Sequence, residues 1–335
     1  MLRIWLNHWF STAYNIINLI KENERDFVII GSNNNYNSVI KCVCDEWYEE
    51  PQTCGDEYAA DCAEFCKKHK VDVFIPRKEM LAINKNIHLF DEVGTKVMVD
   101  DYDMISVLNN KSMAYELFKD QAVFNVPEYL IVDNAGDFIN AYELLKKKYS
   151  DVCMKLVYDE GGRSFRLISD KPKSFDTLFE NLTFFYDVVE ALKKREVFEP
   201  IMVMPYLPDN EISVDCLNTK QGLIMLPREK DPTRIERMIY DEKILSMCRA
   251  FYERISLQYP CNIQFKYLNG VPYFLEVNTR MSGGIQMGCA AAGVNIPNIA
   301  VNKIIGIDKD WKLTREESFV SYIEKPLLVC QSGLK

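Results

Sequence analysis

Between Cys261 and Gly284 the chain reads CNIQFKYLNGVPYFLEVNTRMSGG, a stretch in which acceptor side chains recur at strand spacing and end in Asn-Thr-Arg. In Cys261–Leu268 the apolar Ile263, Phe265 and Tyr267 alternate with Asn262, Gln264 and Lys266, the period of a half-buried strand. In Pro272–Asn278 the apolar Tyr273, Leu275 and Val277 alternate with Phe274, Glu276 and Asn278. Residues directly opposite in an antiparallel pair share a face, so the turn decides the chemistry. A two-residue Asn269-Gly270 turn sets Glu276 opposite Ile263. A three-residue connection, with Gly270 at positive φ beside a bulge, sets Gln264 opposite Glu276 and keeps Asn278 on that face. The second register is the one we expect, because it converges one carboxylate and two amide oxygens. These are hard donors suited to Mg²⁺, with Mn²⁺ as a substitute. Arg280 follows as a fork-shaped cation aimed at whatever the metal holds.

The elements around this hairpin fall in a recognisable order. Leu2–Leu6 reads as a strand, Thr12–Glu24 as a helix and Asp26–Ile30 as a second strand. Asp56–Lys70 is an amphipathic helix and Val71–Pro76 a third strand, and strands alternating with helices imply a parallel sheet. No G-x-G-x-x-G follows the first strand, which removes the pyrophosphate cradle a dinucleotide-binding oxidoreductase needs. Lys111–Lys119 is a helix behind Asn109-Asn110. Phe124–Val132, with Val126-Pro127, is extended, since the residue before a proline leaves the helical region. Gly136–Tyr149 is helical, Val152–Leu156 a strand carrying Lys155, and Phe165–Ile168 a strand beyond the turn at Gly161-Gly162-Arg163. Phe175–Arg195 is expected to be one long amphipathic helix. Strands at Pro200–Leu207, Glu211–Asn218 and Gly222–Pro227 and a helix at Tyr240–Leu257 complete the approach to the hairpin.

A lysine on a strand followed by a glycine-containing turn and an arginine is a way to hold a triphosphate: the ammonium neutralises oxygens, glycines admit backbone N–H groups, and the arginine closes over them. Together with Gln264, Glu276, Asn278 and Arg280, the order of parts resembles the ATP-grasp superfamily, in the branch of the carbamoyl-phosphate synthetase large chain and biotin carboxylase. The resemblance covers roughly residues 70–305. Its most specific part is Leu275-Glu276-Val277-Asn278-Thr279-Arg280-Met281-Ser282-Gly283-Gly284, similar to the family's E-x-N-x-R-x-S-G-G signature.

The resemblance implies that Glu276, Asn278 and Gln264 hold magnesium and that Arg280 orients the acceptor or acyl phosphate. It implies that Lys111 and Lys155 bind phosphates, with Asn110 in place of the family's usual aspartate, and that Gly161, Gly162 and Arg163 belong to the lid. Met204, Pro205, Tyr206 and Leu207 fall on the hinge whose main chain pairs with adenine, and Glu211 on the glutamate that accepts the ribose hydroxyls. Pro227-Arg228 resembles a pair in which the arginine faces phosphates or substrate. The lid departs from the pattern, since Tyr158, Asp159 and Glu160 stand where relatives carry glycines, and carboxylates repel a triphosphate unless turned away.

The fold class expected is therefore α/β with α+β lobes: an ATP-grasp fold with an N-terminal Rossmann-like domain over 1–105, a lid lobe over 106–204 and a lobe with the metal site over 205–335, ATP lying between the last two. At 335 residues more than one core is needed. A net charge of −9 with dispersed acids argues against a nucleic-acid or anionic-membrane surface. No apolar run reaches the roughly 20 residues of a membrane span, and the start, MLRIWLNHWF, lacks a cleavage site for a signal peptide. Eleven cysteines without a secretory signal point to reduced thiols in the cytoplasm. Cys42/Cys44 and Cys62/Cys66 read as small core residues. Only three histidines make a zinc centre or a histidine-dependent hydrolase a poor fit. The activity implied is an ATP-dependent, ADP-forming ligase that activates a small carboxylate as an acyl phosphate for capture by an amine or another nucleophile such as a thiol, with a homodimer allowed. The alternative is an ATP-binding module that has lost turnover.

Overall fold

Strand β1 (Leu2–Asn7) sinks four consecutive residues, as a strand covered on both faces must. In this computed structural model, which describes residues 1–329 apart from 36, 122, 159–163, 176 and 178–179, β1 is the centre of a parallel sheet. Its partners are β2 (Phe27–Asn33), β3 (Glu46–Glu49), β4 (Val73–Ile75) and β5 (Lys96–Val97), in the order β3-β2-β1-β4-β5. Leu2 pairs with Phe27 on one side and Ile4 with Val73 on the other. Helix α1 (Ala13–Lys21) buries Ala13, Ile16, Ile17 and Ile20. Helix α2 (Gly55–His69) buries Tyr58, Cys62 and Cys66, but Cys42, expected in the core, is exposed. The short helices α3 (Met80–Lys85), α4 (Ile87–Glu92) and α5 (Tyr102–Leu108) follow.

Helix α6 (Lys111–Gln121) starts the central part of the chain. There β6 (Leu130–Val132), β7 (Val152–Leu156), β8 (Arg166–Ser169), β9 (Leu182–Phe184) and β10 (Ile201–Pro205) form a sheet in the order β6-β10-β7-β8-β9. Helices α7 (Ala135–Lys146) and α8 (Phe185–Lys193) pack on it through Phe138, Ala141, Tyr142, Leu145, Val188 and Val189. The single long helix expected over Phe175–Arg195 is replaced by β9 and the shorter α8. Leu182 and Thr183 pair with Leu167 and Ile168 of β8, and sheet pairing takes precedence over the local helical period.

A six-stranded sheet carries the rest: β11 (Glu211–Thr219), β12 (Gly222–Glu229), β13 (Ile235–Met238), β14 (Cys261–Leu268), β15 (Val271–Asn278) and β16 (Phe319–Ser321), ordered β15-β14-β11-β12-β13-β16. Helices α9 (Glu242–Arg254), α10 (Ile285–Ala292) and α11 (Ile296–Ile304) accompany it. The chain divides into two units, a larger one of Met1–Asn109, Glu211–Gln264 and Val277–Lys335 and a central one of Asn110–Asn210 and Phe265–Glu276. One core of the larger unit joins Ile4, Leu6, Ile16 and Ile17 to Leu226, Met281, Ile285, Ile296, Ile299, Ala300 and Val301. The β14–β15 connection is the two-residue turn, not the three-residue one expected, so strand register does not bring Gln264 opposite Glu276: this turn sets Gln264 opposite Leu275 and Glu276 opposite Ile263. Asn269 (φ 53°) and Gly270 (φ 76°) both sit in the left-handed region that such a turn demands.

Candidate active site

Within the central unit the hairpin tip is fixed by aromatic packing. Phe274 is fully buried among Tyr115, Phe118, Phe124 and Phe265, so the face of β15 that was expected to be polar begins in a core. Tyr115 Oη donates to Leu275 O, pinning the strand to α6, and Asn125 Nδ2, beyond the helix, donates to Pro272 O, each at 3.1 Å. Two residues along the Phe274 face comes Glu276, whose Oε2 lies 3.5 Å from Lys111 Nζ. Lys111 opens α6 and is itself buried. The residue before it, Asn110, supplies what a cap must: its Oδ1 accepts from Ser112 N (3.0 Å), Met113 N (3.1 Å) and Ser112 Oγ (2.7 Å). Its Nδ2 donates to Tyr158 Oη at 2.9 Å. An aspartate would cap equally well but could make no such donation, which is the physical content of the departure at 110.

Lys155, on β7 opposite Met202, brings its ammonium to 3.5 Å from Tyr115 Oη and 5.5 Å from the ring centroid. Burial pushes the Tyr115 hydroxyl well above the ordinary tyrosine value, and the Glu276 carboxylate adds to it. The central unit thus gathers Lys111, Lys155 and Glu276 around one neutral phenol. Further along, Tyr206 N donates to Asp151 O at 2.9 Å, and Cys153 Sγ lies 3.7 Å from Pro205 O. Burial pushes the Cys153 thiol up to about 12, an effect opposed by the Lys155 and Lys266 ammonium groups. Lys266, which the sequence did not single out, donates to Leu207 O at 3.0 Å and stands 5.5 Å from the Tyr206 ring. The hinge segment Met204-Pro205-Tyr206-Leu207 therefore has a cation at its carbonyl side. Gly161, Gly162 and Arg163 lie outside the described residues.

The larger unit holds the other candidates on a buried hydrogen-bonded relay. Arg228, expected to face phosphates or substrate, is completely enclosed. Its Nε and Nη2 donate to Asp215 Oδ2 at 3.2 and 2.8 Å, its Nη1 pairs with Glu236, and Nη2 reaches Ser282 Oγ at 3.3 Å. Burial works against its charge, but the two carboxylates more than offset that and hold it above the usual arginine value. Asp215 Oδ1 in turn accepts from Asn262 Nδ2 at 2.9 Å. A carboxylate only accepts, so Asn262 must present its oxygen the other way, where Oδ1 accepts from Gln264 Nε2 at 3.1 Å. The relay fixes which end of the Gln264 amide carries the oxygen.

Asn278 ends β15, and Arg280 after it donates to Met281 O at 3.5 Å. Glu211 opens β11 and is ion-paired to Lys230, the residue after β12. The relay residues Asp215, Asn262 and Glu236 were missed by sequence reasoning. Their signal is a polar residue at a buried strand position, as in Val214-Asp215-Cys216.

Among the described residues no group of three or more His, Cys, Asp and Glu gathers as a metal centre would require. No described helix is long and apolar enough to cross a membrane.

Comparison with known proteins bears on the fold. Residues 197–326 match the family described as ATP-grasp in the biosynthetic pathway with Ter operon. Over 318 residues the chain is 22% identical to a carbamoyl phosphate synthase arginine-specific large chain of Geobacillus stearothermophilus, a match that takes in 89% of this chain. It spans only 28% of that relative's length. A biotin carboxylase domain of the Hydrogenobacter thermophilus 2-oxoglutarate carboxylase, solved with MgADP and bicarbonate, superposes with a TM-score of 0.66 at 18% identity, covering 92% of this chain and 70% of that one. N5-carboxyaminoimidazole synthetase from Staphylococcus aureus, complexed with ADP, gives 0.68 at 11% identity over 94% and 80%. Likeness at such identities concerns the fold, and the fold is the one the E-x-N-x-R segment led us to expect: the chain shares the fold of the biotin carboxylase domain and of N5-carboxyaminoimidazole synthetase, and its residues 197–326 are similar to an ATP-grasp family.

Proposed function

We propose that the chain is an ATP-dependent, ADP-forming ligase that activates a carboxylate for capture by an amine. The observation that carries this is the convergence of Lys111, Lys155 and Glu276 around Tyr115 in the central unit. Glu276 and Asn278 share a face of β15 and offer a carboxylate and an amide oxygen, ligands that suit Mg²⁺ and leave most of its octahedron to water and phosphate, while Gln264 would add its amide oxygen from the neighbouring strand, opposite Leu275. The structural neighbours bound to MgADP and ADP support that choice of cofactor.

MgATP, when bound, supplies the phosphoryl group that turns a carboxylate into an acyl phosphate, which an amine then displaces to give an amide and phosphate. The chain's own residues supply position and charge. Lys111 and Lys155 neutralise phosphate oxygens, while Glu276, Gln264 and Asn278 hold the metal. Arg280 steadies the anionic acceptor, Glu211 takes the ribose hydroxyls, and the main chain of Met204–Leu207 receives adenine. Little covalent work is asked of the protein, which accords with the absence of histidine from this group. Arg228 acts through others: it fixes Asp215 and, through Asn262, the Gln264 amide.

The test is isothermal titration with MgATP joined to a phosphate-release assay over a panel of carboxylates and amino acids. Acceptor-dependent release of phosphate is the expected result. MgATP binding with no release for any acceptor would instead support a nucleotide-binding module without turnover, and absence of MgATP binding would overturn both.

A further inference from the structure

Among the described residues no strand lies beyond β16 in the six-stranded sheet, so β16 forms its edge. Its pairing with β13 is antiparallel, with Ile235 opposite Ser321, Glu236 opposite Val320 and Arg237 opposite Phe319. Met238 N donates to Ser318 O at 2.8 Å. Opposed residues in such a ladder alternate between exchanging hydrogen bonds and exchanging none. Ser318 and Val320 therefore turn their N–H and C=O groups toward β13, and Phe319 and Ser321 turn theirs outward. An edge of that kind is a template for another strand.

The side chains sort by the same alternation. Glu236 and Met238 are buried, and Val320, on their face, is half-buried. On the opposite face Ile235, Phe319 and Ser321 are exposed, Phe319 at 72%. Arg237 bridges Glu229 and Glu317 on that face, at 3.0 and 3.1 Å. Beyond β16, Glu324 pairs with Arg234, whose guanidinium stands 5.8 Å from the Tyr322 ring. These contacts hold Tyr322 and Glu324 beside the start of β13, and Ile323 between them is 90% exposed. Large apolar side chains grouped along a sheet edge mark an interaction surface.

We infer that β16 pairs antiparallel with β16 of a second copy of this chain, about a twofold axis at Ser321. The inference is independent of the ligase reading. The segment is complementary to itself in this register, which sets Phe319 opposite Ile323 of the other copy, Val320 opposite Tyr322 and Glu317 opposite Lys325, each twice. The outward N–H and C=O groups of Ser321 meet those of its counterpart as a bonded pair. An axis at Val320 would instead place Arg315 against Lys325 and Glu316 against Glu324. An axis at Tyr322 would place Phe319 against Lys325 and Val320 against Glu324. Charge thus selects one register, and a twofold contact closes on itself rather than growing into a fibre.

Sedimentation velocity of the full chain from about 1 to about 100 µM tests it, since a contact built on one strand pair is small and dissociates in the micromolar range. A monomer–dimer equilibrium is the expected result. Phe319→Lys sets a cation against Ile323 of the other copy, and Lys325→Glu sets like charges against Glu317. Each change enters the dimer twice and should weaken it about tenfold or more. Both side chains are exposed, so folding is retained, which circular dichroism checks; Ile323→Lys replaces either variant should it fold poorly. A chain that stays monomeric throughout, oligomers that grow without limit, or a dimer of unchanged strength in either folded variant would each overturn the pairing, whatever the chain does with MgATP.

Discussion

Lys111 Nζ and Glu276 Oε2 lie 3.5 Å apart, one at the first residue of α6 and the other two residues past the aromatic anchor Phe274. In the proposed function a triphosphate and its metal would divide this cation from this anion. Under the proposed function Lys111→Met and Glu276→Gln should each lower acceptor-dependent ADP formation by about 100-fold or more, the usual cost of removing one group that stabilises developing charge. A coupled ADP assay, with circular dichroism to confirm folding, reads the result. Activity within a few-fold of wild type in either variant would remove these residues from the site.

The Asn262–Gln264 bond offers a second check. Asn262→Ala should weaken Mn²⁺ binding to the nucleotide complex, measured by the loss of the free-ion EPR signal, while ATP binding without metal stays near wild type. If Mn²⁺ affinity is unchanged, the relay is a matter of packing alone.

Arg228 is the largest charged residue with no exposure, and its carboxylate partners are themselves sheltered. Arg228→Leu leaves Asp215 and Glu236 without a counter-charge, and removing one partner of such a buried arrangement costs about 3–5 kcal/mol. Urea denaturation should show that loss. Combining it with Asp215→Asn and Glu236→Gln should recover part of it, because no unpaired charge then remains.

Asp100 gives a pH-dependent signature. Burial pushes its carboxyl up to about 6, although Gln258 N and Tyr259 N both donate to it. An acid whose folded value lies above its unfolded one stabilises the fold most at low pH and loses that contribution as pH rises through the folded value. Unfolding free energy should therefore fall between about pH 4 and pH 6.5 by up to roughly 3 kcal/mol from this group, and Asp100→Asn should flatten that segment of the profile. Chemical denaturation at a series of pH values measures it, and an identical slope in the variant would refute the assignment.

Much of this was readable beforehand because strand residues announce themselves by burial on one face. Val152–Leu156 was bounded to the residue, and the E-x-N-x-R segment identified the fold. What escaped was set by non-local pairing. The strand β9 forms only because β8 lies beside it, and Phe274 looked like part of a polar face until α6 supplied the aromatic wall. Arg228 was legible as a functional candidate but not as the centre of a triad, since Asp215 and Glu236 lie on neighbouring strands at separations no local pattern encodes.

Asn295 Nδ2 donates to Leu19 O, and Asn298 Nδ2 to Ile20 O, so α11 closes over α1 across 276 sequence positions. On a ribosome adding about 5–20 residues per second, the apolar stripe of α1 waits on the order of 14–55 s for its cover. Helix α1 is thus made well before the helix that covers it, and the nascent chain must be sheltered from aggregation over that interval.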